Sequence, residues 1–372
     1  MHKEPYRFLF PLGTLFLMVG VGLWILPALG HEIYPVKIHR YFMINGLMGC
    51  FVAGFLMTAI PQFSKSFKCK YIEVIAFGFV TVIGGIFSYF LDFDSSYLFG
   101  SIQGFLLLIF IFLRVLKRKE NPPYSFIFVM AGALIWSMIF FFHMFLSEEI
   151  AKTLHQEGVF MCMILGIGSR LFPGILGHSE IVSTQKKTYE VPGSMLSTVP
   201  RYFFLLPFIF LAAYVFPEFW KRAIQTVIVF WIAIKYWKIF SFPRNRNSLT
   251  YCLWITTWLI PLSFFYSCFR LEDGIHSQHA IFIGSFVLVT SLIAIRVLQA
   301  HGPKDKEIES SSLISLITSL ILLSAILRVL AFYQSDHYFG ILALSAIILL
   351  LAIVLWSIKF LKFIFVLKDG EG

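Results

Sequence analysis

Three histidines, His39, His155 and His279, each open a long apolar run, and they stand 116 and 124 residues apart. Imidazole is a common ligand for haem iron and copper, and cofactor ligands in helical bundles project from facing helices. A single histidine at a helix end is ordinarily an interface residue. Three in register at matching depth instead predict a haem or metal site near one face of a bundle. His143, near the end of the run before His155, is a fainter candidate for the same neighbourhood.

The residues that follow the histidines decide what can approach them. At about 3.6 residues per turn, the face that begins at His39 continues through Met43, Gly46, Cys50 and Ala53. The face beginning at His155 continues through Val159, Cys162, Gly166 and Ser169. Such stripes of small residues admit a neighbouring helix or a flat ligand at short range. The third copy is bulkier, with Ile283, Phe286, Thr290 and Ile293 after His279. Two arginines, Arg170 and Arg296, lie well inside the same runs and are followed by His178 and His301. An intramembrane arginine is costly, so it either snorkels to the interface or pairs with an anion such as a haem propionate or a lipid phosphate.

Composition defines the elements that must carry these residues. Of 372 residues, 58% are apolar and 13% charged, with 44 phenylalanines and a mean hydropathy of +0.82. A soluble core cannot hide that much apolar surface. The chain is therefore predicted to be an all-α polytopic membrane protein forming one integral membrane domain over residues 1–372. The runs are continuous rather than alternating, which excludes spanning β-strands. Runs of bilayer length give about twelve transmembrane helices near 8–29, 40–62, 71–91, 96–116, 124–146, 158–177, 201–219, 222–240, 249–269, 277–300, 311–334 and 338–366. The histidines then open spans two, six and ten. That periodicity predicts three repeats of four helices, about 1–119, 120–240 and 241–372.

Charge sets the orientation. Lysines and arginines cluster after the even-numbered spans, as in Lys65, Lys68 and Lys70 or Arg114, Lys117, Arg118 and Lys119, and the intervening loops are acidic or neutral. The bias predicts cytoplasmic termini, a cytoplasmic 178–200 loop and histidines near the periplasmic face. PEFWKR, between spans seven and eight, is the one ambiguous loop. The net charge of +10 is spread among these loops, so no nucleic-acid partner is expected and the lipid bilayer is. Five cysteines show no C-x-x-C or zinc spacing, and the chain has no Walker-type, EF-hand or H-E-x-x-H motif. Any chemistry must lie in or near the membrane.

Residues 39–63 resemble the NnrS family, whose members carry a HAHEM-like opening and a glycine-rich helix ending near GFLLTAxPN. His39, Met43, Gly46, Gly49 and GFLMTAIPQ from Gly54 to Gln62 match that pattern. GSRLFPG from Gly168 to Gly174 is similar to the family's GGRxIPFF, and HAIFIG…IRVLQAHG from His279 to Gly302 to its HAxxxG…RxxLGHxG. The resemblance implies a bacterial inner-membrane protein associated with haem and copper and with the response to nitric oxide. The chain departs from the pattern at Tyr41 and Phe42, which replace the second histidine and the glutamate of HAHEM. A more distant analogy, of topology alone, is with haem–copper oxidases and nitric oxide reductases, whose twelve-helix cores take their ligands from helices two, six, seven and ten.

These observations lead to specific expectations. His39 and His279 clamp one haem, while His155, with Tyr41 and His143 as further candidates, faces a second metal such as copper or the same pocket. Arg170, Arg296, His178 and His301 are candidate partners for propionates or other anions. The seventh span has no histidine, so a complete NO- or O2-reducing enzyme is not expected. The leading function is binding, sensing or detoxification of nitric oxide or another diatomic ligand. The competing ones are a twelve-helix secondary transporter and a redox-inactive partner subunit.

Overall fold

The computed structural model describes residues 4–32, 35–90, 95–178, 180, 200–269, 274–301 and 307–364. Every regular element among the described residues is helical. Among the described residues, nine helices are long and apolar enough to cross a bilayer: Tyr6–Leu29, Val36–Phe63, Tyr71–Phe90, Ser95–Leu116, Glu148–Leu176, Ser248–Phe269, Ile275–His301, Ser312–Tyr333 and Ser335–Ile364. A tenth candidate consists of Phe126–Ser137 and Ile139–Phe145, bent by 59°. The region expected to hold spans seven and eight forms the shorter apolar helix Tyr202–Val215 and the helix Glu218–Ile232. Its break falls at Phe216 and Pro217, both with extended ψ, and Pro217 caps the start of the second helix, where its missing N–H costs no helical hydrogen bond. PEFWKR is accordingly the first turn of a helix rather than a loop, and Lys221 and Arg222 are buried within it. Most of the expected 178–200 loop lies outside the described residues.

The three histidine-bearing helices are the interior of the molecule. The most apolar stretch of Val36–Phe63 is 89% buried, and those of Glu148–Leu176 and Ile275–His301 are each 78% buried, against 39–50% for the other six spans. The outer helices turn phenylalanine and leucine side chains such as Phe79, Phe105 and Leu351 outward, as a lipid environment requires. The first and last spans pack together, and Arg7 donates to the carbonyl of Ile364 at their shared end. All three inner helices meet across a small apolar cavity of about 50 Å³, to which Phe51, Ile164 and Ile293 contribute one wall each.

Close backbone approach explains the bend. A Cβ on Gly104 would lie 2.4 Å from the backbone nitrogen of Ser137, so only glycine lets Ser95–Leu116 press against the kink. One turn earlier, Ser101 Oγ accepts from the Phe140 N–H at 2.7 Å, satisfying a donor at the start of the second piece. Gly104→Ala should therefore lower stability by about 1–3 kcal/mol through overpacking. Gly340→Ala, in a helix where a Cβ meets nothing within 4 Å, should leave it unchanged or raise it slightly. Thermal unfolding of the detergent-solubilised variants checks both, and equal midpoints would refute the close contact.

Candidate functional site

Each inner helix carries a π-helical turn beside its histidine. The turns span Phe42–Met48, Leu154–Gly158 and Phe282–Val287, so that the first and third begin three residues after His39 and His279, and the second contains His155. A π-turn widens the helix beyond 3.6 residues per turn and recurs at functional sites. Here it keeps one face turned inward. His39, Met43 and Leu47 all line one cavity, as do Ile275, His279, Ile283 and Val287. A regular α-helix would rotate such a four-residue series steadily off the face. The small-residue stripe points elsewhere. A Cβ on Gly46 would strike Phe16, and one on Gly54 would crowd Phe10, both on the first span, while Gly166 abuts Val129. The glycines give clearance to neighbouring helices, one of the two roles open in the sequence.

The cavity measures about 270 Å³ and brings His39 and His279 together with Trp24, Phe282, Phe286 and Met43. Both imidazoles are oriented by backbone. His39 Nδ1 lies 2.8 Å from the carbonyl oxygen of Gly20, and His279 Nδ1 lies 2.6 Å from that of Ile275. A carbonyl only accepts, so each Nδ1 carries the proton and each neutral ring presents its lone pair at Nε2. This is the tautomer and the anchoring that metal-binding histidines use. Trp24 meets the His39 ring edge-on at 5.6 Å, and Phe282 meets His279 in the same way at 5.7 Å.

The other expected residues fall into separate places. His155 is fully buried but does not line this cavity. It lies against Gly100, and its ring is 5.7 Å from that of Tyr97. His143 stacks on the opposite partner of that trio, 4.0 Å from Tyr97 at 11°. Tyr41 is directed away and donates to the carbonyl of Thr81 at 2.9 Å. Among the described residues, no group of three His, Cys, Asp or Glu side chains converges as a metal site. Arg296 is held by Glu309 and Gln299, each at 2.6 Å, and His301 lies near Tyr6 and Glu4, at the far end of the helix from His279. His178 sits beside Glu180, and desolvation holds its pKa below the usual imidazole range, which favours the neutral ring over a cationic anion partner. Arg170 does not line the cavity that holds His39 and His279.

Residues that hydropathy and spacing did not single out complete the cavity. Arg40, Lys152, Gln156 and Arg328 line it, and His276 accepts from Arg328 Nη1 at 2.8 Å through Nδ1. Lys152 and Gln156 are positioned by the helix Glu148–Leu176. That helix is pinned two residues past His155 by Glu157, whose two carboxylate oxygens accept from Arg222 Nη1 at 2.6 and 2.7 Å and whose Oε1 also accepts from the Tyr214 hydroxyl at 2.8 Å. Glu157 and Arg222 are each 1% exposed.

Residues 1–366 match the family model described as NnrS protein. The chain belongs to the NnrS family. No curated protein matches it. Within this NnrS chain, the segments that carried the family resemblance include both histidine-bearing walls of the cavity. Its buried ion pair gives a direct structural test. Arg222→Met should cost ~3–5 kcal/mol by stranding the buried Glu157 carboxylate. Glu157→Gln should cost less, because Glu218 still pairs with Arg222 Nε at 2.9 Å, and the double variant should lose less than Arg222→Met alone. Thermal unfolding of the three variants measures the coupling, and additive losses would contradict it.

Proposed function

We propose that this chain is a haem-binding membrane protein of the NnrS type that takes part in binding, sensing or detoxifying nitric oxide. The single observation that carries the reading is that His39 and His279 line one cavity, each with its Nδ1 proton tied to a carbonyl. Two imidazoles from facing inner helices, apolar and aromatic walls and nearby cations suit a porphyrin with charged arms. At about 270 Å³ the cavity is near the lower end for ligand pockets. Seating a macrocycle therefore requires Trp24 and Phe282, which abut the imidazoles, to yield. Bound haem would supply an iron centre at which a diatomic ligand can coordinate in place of one of the two imidazoles.

What the protein contributes is orientation and exclusion. The carbonyls of Gly20 and Ile275 hold the two rings, and Met43, Phe286 and their neighbours keep the space apolar. The cavity between the three inner helices shares Met48 with the histidine cavity and is lined almost wholly by apolar side chains. An uncharged diatomic loses no strong hydrogen bonds on entering such a space, whereas an ion would. Among the described residues, no third His, Cys, Asp or Glu joins His155 and His143 beside Tyr97, and the proposal is stated for haem. We assign the architecture to three four-helix units in the bacterial inner membrane, with cytoplasmic termini and the histidine end periplasmic. The reading is of a binding or sensing protein rather than a complete reductase.

Expression with ample haem supply, followed by purification, should give a preparation with a Soret band and stoichiometric iron by metal analysis. His39→Ala and His279→Ala should each alter the band, and His337→Ala, at an exposed position, should not. A colourless, iron-free preparation would sink the proposal and leave the transporter reading standing.

A further inference from the structure

The three inner helices do not close completely on one another. Beyond the histidine cavity they leave the second space of about 50 Å³, walled by Phe51, Ile164 and Ile293, one from each helix. These residues lie nine to fourteen positions past the histidines, about 14–21 Å along the helices and near the middle of each span. Among the described residues, Thr290 supplies the one polar side chain of the wall. Its hydroxyl is committed within its own helix, to the carbonyls of Phe286 at 2.7 Å and Val287 at 3.0 Å. A buried water needs about two to four polar partners. The side chains of this wall offer it only the Thr290 oxygen, so the space favours an apolar guest over water.

An empty space of this kind deprives its lining atoms of dispersion contacts. A guest restores them without a desolvation cost provided that it is small, uncharged and apolar. A volume of about 50 Å³ suits a diatomic molecule or a single xenon atom, and is too small for a porphyrin or a lipid chain. The depth suits such a guest as well, because apolar gases leave water readily for the hydrocarbon that surrounds these spans. Met48 ends the first π-turn and lines both cavities, so a single flexible side chain borders this space and that of the imidazoles. We infer that the mid-membrane cavity is a docking site for an uncharged diatomic gas, separate from the histidine pair. The docking site stands on its own cavity and needs no haem. Its use as a waiting place for nitric oxide bound for the imidazoles rests on the haem reading above.

The full chain, free of haem and carried in lipid nanodiscs, would be labelled at its isoleucine δ1-methyl groups and followed by NMR under rising xenon pressure. The Ile164 and Ile293 methyls should shift and saturate. Ile321, which is buried elsewhere, should stay fixed, and Ile347, on the outer face, should drift with lipid-dissolved xenon without saturating. Dissolved dioxygen, a paramagnetic diatomic, should relax the Ile164 and Ile293 methyls severalfold more than that of Ile321. Ile293→Phe, which fills the space, should abolish saturation at Ile164. Responses at Ile164 and Ile293 no larger than at Ile321, or a shift that never saturates, would overturn the docking site whether or not the protein binds haem. Saturation in a protein that never acquires a Soret band would support the docking site and overturn only its link to haem. The wild-type comparison stands even if Ile293→Phe does not fold.

Discussion

A bilayer offers no water to an unpaired polar group, and the organisation of this chain follows from that constraint. Polar and charged side chains must find partners inside the protein, so they collect on the helices that other helices enclose. The three histidine helices are the most buried of the spans. Around them sit the Glu157–Arg222 pair, Asn45 bonded to the Ser96 carbonyl, and Gln103 bonded to Thr81 and the Asn45 carbonyl. Serines and threonines within the spans turn back onto their own helices, as Thr58 does to Gly54 and Ser169 to Leu165. The outward faces are left to phenylalanine, leucine and isoleucine. Enclosure of the inner helices makes a neutral, fixed imidazole feasible in this environment.

Fixing the imidazoles draws on two devices in the backbone. The π-turns keep a four-residue series on the cavity side of the His39 and His279 helices, where an α-helix would rotate it away. The carbonyls of Gly20 and Ile275 then set the tautomer of each ring. One carbonyl comes from a neighbouring helix and the other from the same helix, so the two walls are equivalent in result but not in construction. The glycines serve these positions indirectly. Gly46 and Gly54 let the first span press onto the His39 helix, and that contact brings Gly20 and Trp24 to the imidazole.

Much of this was legible in the chain. Apolar runs of bilayer length located the nine spans found among the described residues, though not the full twelve expected, and the spacing of His39, His155 and His279 pointed to the three that prove to be interior. Spacing alone could not tell which histidines share a cavity, because a π-turn changes the direction of every residue after it. His155 lies within its turn and faces Gly100 and Tyr97, while its neighbour Gln156 faces the cavity. Arg328 was hidden for a different reason. A cation in the last turn of an apolar helix looks like an interfacial residue, and only packing reveals that its helix end meets Trp24 and His276. Arg296 stood out in the sequence because it lies inside a span, and Glu309 accounts for it. The split at Pro217 was masked by flanking apolar residues that read equally well as one boundary or another.

The central proposal is that His39 and His279, which line a single cavity, would both hold one haem iron. Low-temperature electron paramagnetic resonance of the oxidised, haem-loaded protein tests it most directly. The account predicts a low-spin ferric signal of bis-imidazole type that converts to a high-spin signal in both His39→Ala and His279→Ala. A high-spin wild type, or a low-spin signal that survives either substitution, would contradict it.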